Sequence, residues 1–173
     1  NSWQQVNSTQ TKNGWTSTGL EVTNSYQVAF DPYDTNHIFI PSTDIGLLES
    51  TDKGKSWLSA THDNGVPNHW INTTYWMEFD PAVKGRVWAV NAANHDLPRP
   101  KMFRKDGIKY FQGGVMMSED AGKHWKPVSQ DIGEAAITHV LLDTTSNINA
   151  RLLYVCAFGK GVYKSEDGGK TWK

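Results

Sequence analysis

The chain has 173 residues, with 17 Lys and Arg against 18 Asp and Glu, six His and a single cysteine, Cys156. A net charge of −1 lacks the basic excess of a general nucleic-acid binder, no apolar run approaches the roughly 18 residues of a membrane span, and one thiol cannot staple the fold from within. Eight Trp and fifteen Gly, with charged residues at only 20%, favour many short strands and tight turns over helices. The chain starts at Asn1, without an initiator Met or a signal segment, and so reads as a processed product or a piece of something longer.

Trp3-Gln-Gln-Val6 reads as the last strand of a four-stranded unit whose first three strands are not in this sequence. Next, Tyr26-Gln-Val-Ala-Phe-Asp31-Pro32 is an alternating strand that ends in an Asp-Pro turn. A second strand follows at His37-Ile-Phe-Ile and a third at Gly46-Leu-Leu-Glu-Ser. The third enters the octapeptide Ser50-Thr-Asp52-Lys-Gly54-Lys-Ser-Trp57, and a fourth strand, Trp57-Leu-Ser-Ala, leaves it. The same order returns at Tyr75-Trp-Met-Glu-Phe-Asp80-Pro81, Arg86-Val-Trp-Ala-Val, Gly114-Val-Met-Met-Ser, Ser118-Glu-Asp120-Ala-Gly122-Lys-His-Trp125 and Trp125-Lys-Pro-Val. It returns again at His139-Val-Leu-Leu-Asp143-Thr144, Arg151-Leu-Leu-Tyr-Val, Gly161-Val-Tyr-Lys-Ser and Ser165-Glu-Asp167-Gly-Gly169-Lys-Thr-Trp172.

All three octapeptides fit S-x-D-x-G-K-x-W. Ser and Asp side chains bond backbone N–H groups in turns. Gly takes positive φ without steric cost, and Trp covers the turn with a large apolar face. Ser50, Asp52, Gly54 and Trp57, with Ser118, Asp120, Gly122 and Trp125, and Ser165, Asp167, Gly169 and Trp172, are therefore structural staples between a third strand C and a fourth strand D.

A repeat of about 40–50 residues with four antiparallel strands, A-B-C-D, is a propeller blade. The expected fold is all-β: the D strand of a preceding or closing blade at 1–8, a blade at 20–62, a blade at 70–130 with a B–C insertion at 91–112, and a blade at 137–173 lacking its D strand. About three blades cannot close a ring, so the remaining blades of the same protein or a second chain are expected partners.

The octapeptides resemble the Asp-box (bacterial neuraminidase) repeats of sialidase-type β-propellers, and the likeness spans essentially the whole chain. Such boxes occur in sialidases, xyloglucanase-type glycoside hydrolases, sortilin-type receptors and photosystem assembly factors. The resemblance therefore implies a fold more than a function.

Asp boxes are C–D turns and mark one rim as structural. The opposite rim, made of B–C and D–A loops, is where a site would be built. There Thr43-Asp44-Ile-Gly46 is similar to the T-D-[VI]-G-G turn of xyloglucanase-type hydrolases, with Leu47 in place of the second Gly. The resemblance implies that Asp44 is one of two catalytic carboxylates; Asp96 and Glu134 are candidates for the other. The insertion gathers His95, Arg99, Lys101, Arg104 and Lys105, whose cations could pair an anionic substrate. In the D–A connections, His69 and Trp70 join the substrate-binding candidates, as does Trp15 near the N-terminus; flat aromatic faces stack on sugar rings.

No P-loop, zinc spacing, EF-hand or nucleophile elbow is present, so no cofactor or metal is expected. Two functions are compatible with these features. The first is a glycoside hydrolase acting on a carbohydrate, expected to be secreted, periplasmic or at the cell surface. The second is a non-catalytic propeller that binds a glycan or a protein through the same rim.

Overall fold

The computed structural model of the chain describes residues 2, 6–18, 23–97 and 111–173. A hairpin of β1 (Ser8–Gln10) and β2 (Trp15–Ser17) opens the described chain. The first blade is the antiparallel meander β3 (Ala29–Phe30), β4 (Ile38–Ser42), β5 (Gly46–Ser50) and β6 (Leu58–Ser59). A single 3₁₀ turn, Asn68–Trp70, leads into the second blade. That blade comprises β7 (Thr73–Phe79), β8 (Val87–Ala92), β9 (Gly113–Ser118) and β10 (Lys126–Pro127). The third holds β11 (Ile137–Asp143), β12 (Leu152–Ala157) and β13 (Gly161–Ser165), and Lys164 of β13 exchanges two backbone hydrogen bonds with Lys173. The fold is all-β and built of β-propeller blades, as the repeat predicts.

The blades stack face to face. Strand side chains alternate between the two faces of a sheet, and β8 is buried throughout because it packs on both sides. Val87 and Ala89 meet Phe39, Leu47, Met77 and Trp70 in the core between the first and second blades. Trp88 and Val90 meet Val140, Leu153, Val155 and Trp172 in the core between the second and third. Trp88 is fully buried, and its Nε1 donates to the Gly168 carbonyl at 3.1 Å.

Each octapeptide closes on itself in the same way. The Ser hydroxyl donates to Asp Oδ1 at 2.9, 2.8 and 2.8 Å for Ser50, Ser118 and Ser165. It accepts the N–H of Gly54, Gly122 and Gly169 at 2.8, 2.9 and 2.8 Å. The second carboxylate oxygen takes a 2.6 Å hydrogen bond from Ser56, His124 or Thr171. Gly54, Gly122 and Gly169 sit at φ 80, 86 and 93°, where any side chain is strained. Ser118 is buried, so Ser118→Ala would leave the Gly122 N–H without a partner. A loss of about 1–3 kcal/mol is expected, read from the midpoint of urea unfolding.

Backbone bonds from Lys53 to Asn36, Ala121 to Gly85 and Gly168 to Arg151 seat each octapeptide turn beside the A–B turn of its own blade. That rim carries two clusters of buried ionisable groups. Arg151 grips Asp80 of the preceding blade through two nitrogens, at 2.9 and 2.7 Å. His37 lies between Asp31 (Nδ1 to Oδ2, 3.1 Å) and Glu49 (Nε2 to Oε1, 2.6 Å). Burial opposes the imidazolium, but its hydrogen bonds to Glu49 and Asp31 outweigh that and raise its pKa above the ordinary value. A raised folded-state pKa contributes stability that is complete below about pH 6.5 and is lost as pH rises through the folded value. Urea unfolding between about pH 6 and 8 should show this loss, and His37→Gln should flatten it.

Two expectations change. The strand predicted from Tyr26 shrinks to Ala29–Phe30, because the Gln27 side chain turns aside to bracket Met77, donating to its carbonyl and accepting its N–H at 3.0 Å each. The N-terminal strand predicted around Trp3 falls on residues outside the described ones, apart from Val6, which is exposed. The adjoining β1–β2 hairpin forms an unexpected latch. Trp15 exchanges two backbone hydrogen bonds with Trp57, at 3.0 and 2.7 Å. The Asn64 carbonyl takes the Trp125 N–H at 2.7 Å, and Asp131 Oδ2 takes the Trp172 N–H at 3.1 Å. Each octapeptide Trp is thus held by the linker that precedes its blade.

Candidate functional site

Strands β4 and β5 run between the two rims, with the octapeptide at one end and the Thr43–Asp44–Ile45 turn at the other. Asp44 therefore lies on the rim opposite Asp52, Asp120 and Asp167. Its backbone is left-handed at φ 63°, a conformation that Asp tolerates better than most residues. Gly46 makes the tight exit at φ 73°, and a Cβ there would press on the Ile71 carbonyl. Leu47 already belongs to β5 and is buried in the core between the blades, so it does not disturb the turn.

The Asp44 carboxylate is half-exposed and held from two sides. The Thr43 hydroxyl donates to Oδ2 at 3.1 Å. On the other side His95, from the second blade's insertion, brings Nδ1 to 3.5 Å from Oδ1. The same Nδ1 lies 3.0 Å from Asp96 Oδ2. The Asp96 side chain is only 15% exposed against 51% for Asp44, and its backbone is also left-handed, at φ 55°.

Asp44 stands where two depressions meet. One, of about 250 Å³, lies between the first two blades and is lined by Asp44, His62, Asn68, His69 and Asn72. The other, of about 960 Å³, runs down the open face of the first blade past Ile40, Leu48 and Leu58 to Trp15 and Trp57. No group of three or more His, Cys, Asp or Glu among the described residues is arranged to hold a metal. No helix among them is long and apolar enough to cross a membrane.

The other predicted residues part company. Glu134 reaches the same rim but is already engaged: it accepts from Trp70 Nε1 at 3.1 Å and from the Gly113 N–H at 3.3 Å, with His69 Nε2 at 3.4 Å. Trp70 is a correction. It is 6% exposed and packs in the core between the first two blades, so its ring offers no free face to a sugar. Trp15 is exposed but pairs with Trp57 at the octapeptide end of the first blade, the far end of the long groove from Asp44. Arg99 and Arg104, with Lys101 and Lys105, lie outside the described residues. Sequence reasoning did not single out His62, Asn68 and Asn72 as site residues; the signal was their place in a D–A connection, which reaches the same rim as Asp44.

No family model matches the chain. It is 24% identical over 105 residues to a probable oligoxyloglucan-reducing end-specific xyloglucanase of Neosartorya fischeri, covering 61% of this chain and 11% of that protein. It is 25% identical over 107 residues to an oligoxyloglucan-reducing end-specific xyloglucanase of Emericella nidulans, with the same two coverages. The chain thus spans about a tenth of the length of these curated relatives. Among solved structures, an ancestral GH74 enzyme aligns with 92% of this chain and 19% of its own at TM-score 0.60 and 26% identity. YCF48 of Cyanidioschyzon merolae shares the fold at TM-score 0.54 and 19% identity, over 87% of this chain and 39% of its own. The chain is a stretch of β-propeller remotely related to xyloglucanases and GH74 enzymes.

Proposed function

We propose that this chain is part of a propeller glycoside hydrolase that cleaves a xyloglucan-type β-glucan, with Asp44 as one of its two reacting carboxylates, and that its octapeptide turns are Asp boxes. The carrying observation is the position of Asp44. It is a half-exposed carboxylate on a left-handed turn, on the rim free of structural staples, at the junction of two depressions. Glycoside cleavage needs a second carboxyl group across a gap wide enough for the glycosidic bond. Asp96 does not supply it, because the His95 ring contacts both carboxylates and stands in that gap. Glu134 is committed to Trp70 and Gly113. On this reading the second carboxylate comes from blades beyond these residues, and the working enzyme is secreted or at the cell surface, where the polymer is found.

The second reading, a glycan- or protein-binding propeller without chemistry, draws on the engagement of both candidate partners: Asp96 Oδ2 lies 3.0 Å from His95 Nδ1, and Glu134 accepts from Trp70 and Gly113. The full-length protein decides between them. Release of reducing ends from xyloglucan or its oligosaccharides is expected. Retardation in a xyloglucan gel with no products from any β-glucan would favour the binding module.

A further inference from the structure

Resting on the reading of Asp44 as a reacting carboxylate, we propose that His95 is its positioning residue and that Asp96 anchors His95. Two carboxylates from two blades converge on one nitrogen. Asp96 Oδ2 lies 3.0 Å from His95 Nδ1, and Asp44 Oδ1 lies 3.5 Å from the same atom. Exposure grades outward, from 15% for the Asp96 side chain to 42% for His95 and 51% for Asp44. The arrangement has an inner anchor and a more exposed outer end. A carboxylate close to one ring nitrogen favours the proton on that nitrogen and restrains the ring. Asp96, 3.0 Å from Nδ1, thereby favours the tautomer that carries its proton on the nitrogen nearest Asp44.

Both aspartates pay for this placement with left-handed backbones, at φ 63 and 55°. Strained residues that converge on one side chain mark a place where geometry matters to function. The other oxygen of Asp44 is held by Thr43. His95 completes the grip from the neighbouring blade, so the direction of the Asp44 carboxylate depends on how the first two blades meet. A reacting group displaced by about 1 Å loses roughly 100-fold in rate. The effect of losing His95 therefore belongs in kcat, not in substrate binding.

The test is steady-state kinetics of the full-length protein on a xyloglucan oligosaccharide, with thermal unfolding of every variant. His95→Leu and Asp96→Gly should each lower kcat by roughly 10–100-fold with little change in KM. Gly keeps the left-handed backbone at 96 while removing the carboxylate. His95→Asn, which returns an N–H donor close to the Nδ1 position, should recover most of the loss; if His95→Leu does not fold, His95→Asn and Asp96→Gly carry the comparison. Selective ¹⁵N labelling of histidine should show the His95 proton on Nδ1, whether or not the protein turns over the chosen sugar. Wild-type kcat in His95→Leu, a change confined to KM, or a proton on Nε2 would each overturn the role of His95. Asp44 itself would stand if Asp44→Asn were inactive in the same series. Undiminished turnover in Asp44→Asn would remove the catalytic reading and the positioning role together.

Discussion

Replacing Arg151 with Met is expected to destabilise the protein by about 3–5 kcal/mol, because it leaves the buried Asp80 carboxylate with only the longer contact to Arg86, at 3.6 Å, as a charged partner. Asp80 and Arg151 are 0% and 2% exposed, and the guanidinium makes a two-point contact across the junction of the second and third blades. Its third nitrogen serves the Thr144 and Ser146 carbonyls, so the same side chain also fixes the A–B turn of the third blade. Burial works against the Asp80 charge, but the hydrogen bonds from Arg151 and the Ala82 N–H outweigh it and hold the carboxyl below its ordinary range. A depressed carboxylate contributes stability above its unfolded pKa of about 3.9 and loses it as pH falls through the folded value. Wild type should therefore weaken in acid more than Arg151→Met combined with Asp80→Asn. The double variant removes both charges yet keeps an oxygen to cap Ala82, and it should regain much of the single variant's loss. A double variant as unstable as Arg151→Met alone would assign the effect to lost packing. Native stabilities are about 5–15 kcal/mol, so the single substitution takes a large share of the total.

Asp44→Asn is expected to lower turnover by roughly 10²–10⁴-fold in the full-length protein while leaving its melting temperature in place. Asparagine is the substitution to make. At φ 63° an alanine would add about 1–2 kcal/mol of backbone strain and confuse a chemical effect with a structural one, whereas Asn tolerates the left-handed region. Asn also keeps an oxygen for the Thr43 hydroxyl and changes only the charge and basicity of the group. Turnover that survives this change would take Asp44 out of the mechanism.

The octapeptide turns were legible because their bonds are local. Every hydrogen bond within Ser118–His124 spans four residues or fewer, so composition and spacing carry the whole structure. The assignment of Asp44 to the opposite rim followed from the meander alone. The features that the sequence did not disclose depend on contacts between blades. Gln27 leaves its strand for Met77, fifty residues away. Trp70 looked like a loop aromatic, but its 3₁₀ turn folds it under the rim toward Glu134. Asp44, His95 and Asp96 were each marked as candidates, yet their convergence on one nitrogen exists only once two blades stand side by side.

The linkers that latch onto Trp57, Trp125 and Trp172 have a consequence for biosynthesis. Each latch lies upstream of the tryptophan it holds. A nascent chain leaves the ribosome from its N-terminus, so the clasp is already outside the exit tunnel when its target emerges. Successive modules can then be sealed in order of translation, and a growing intermediate need not display a raw sheet margin to other chains while it waits for the ring to be finished.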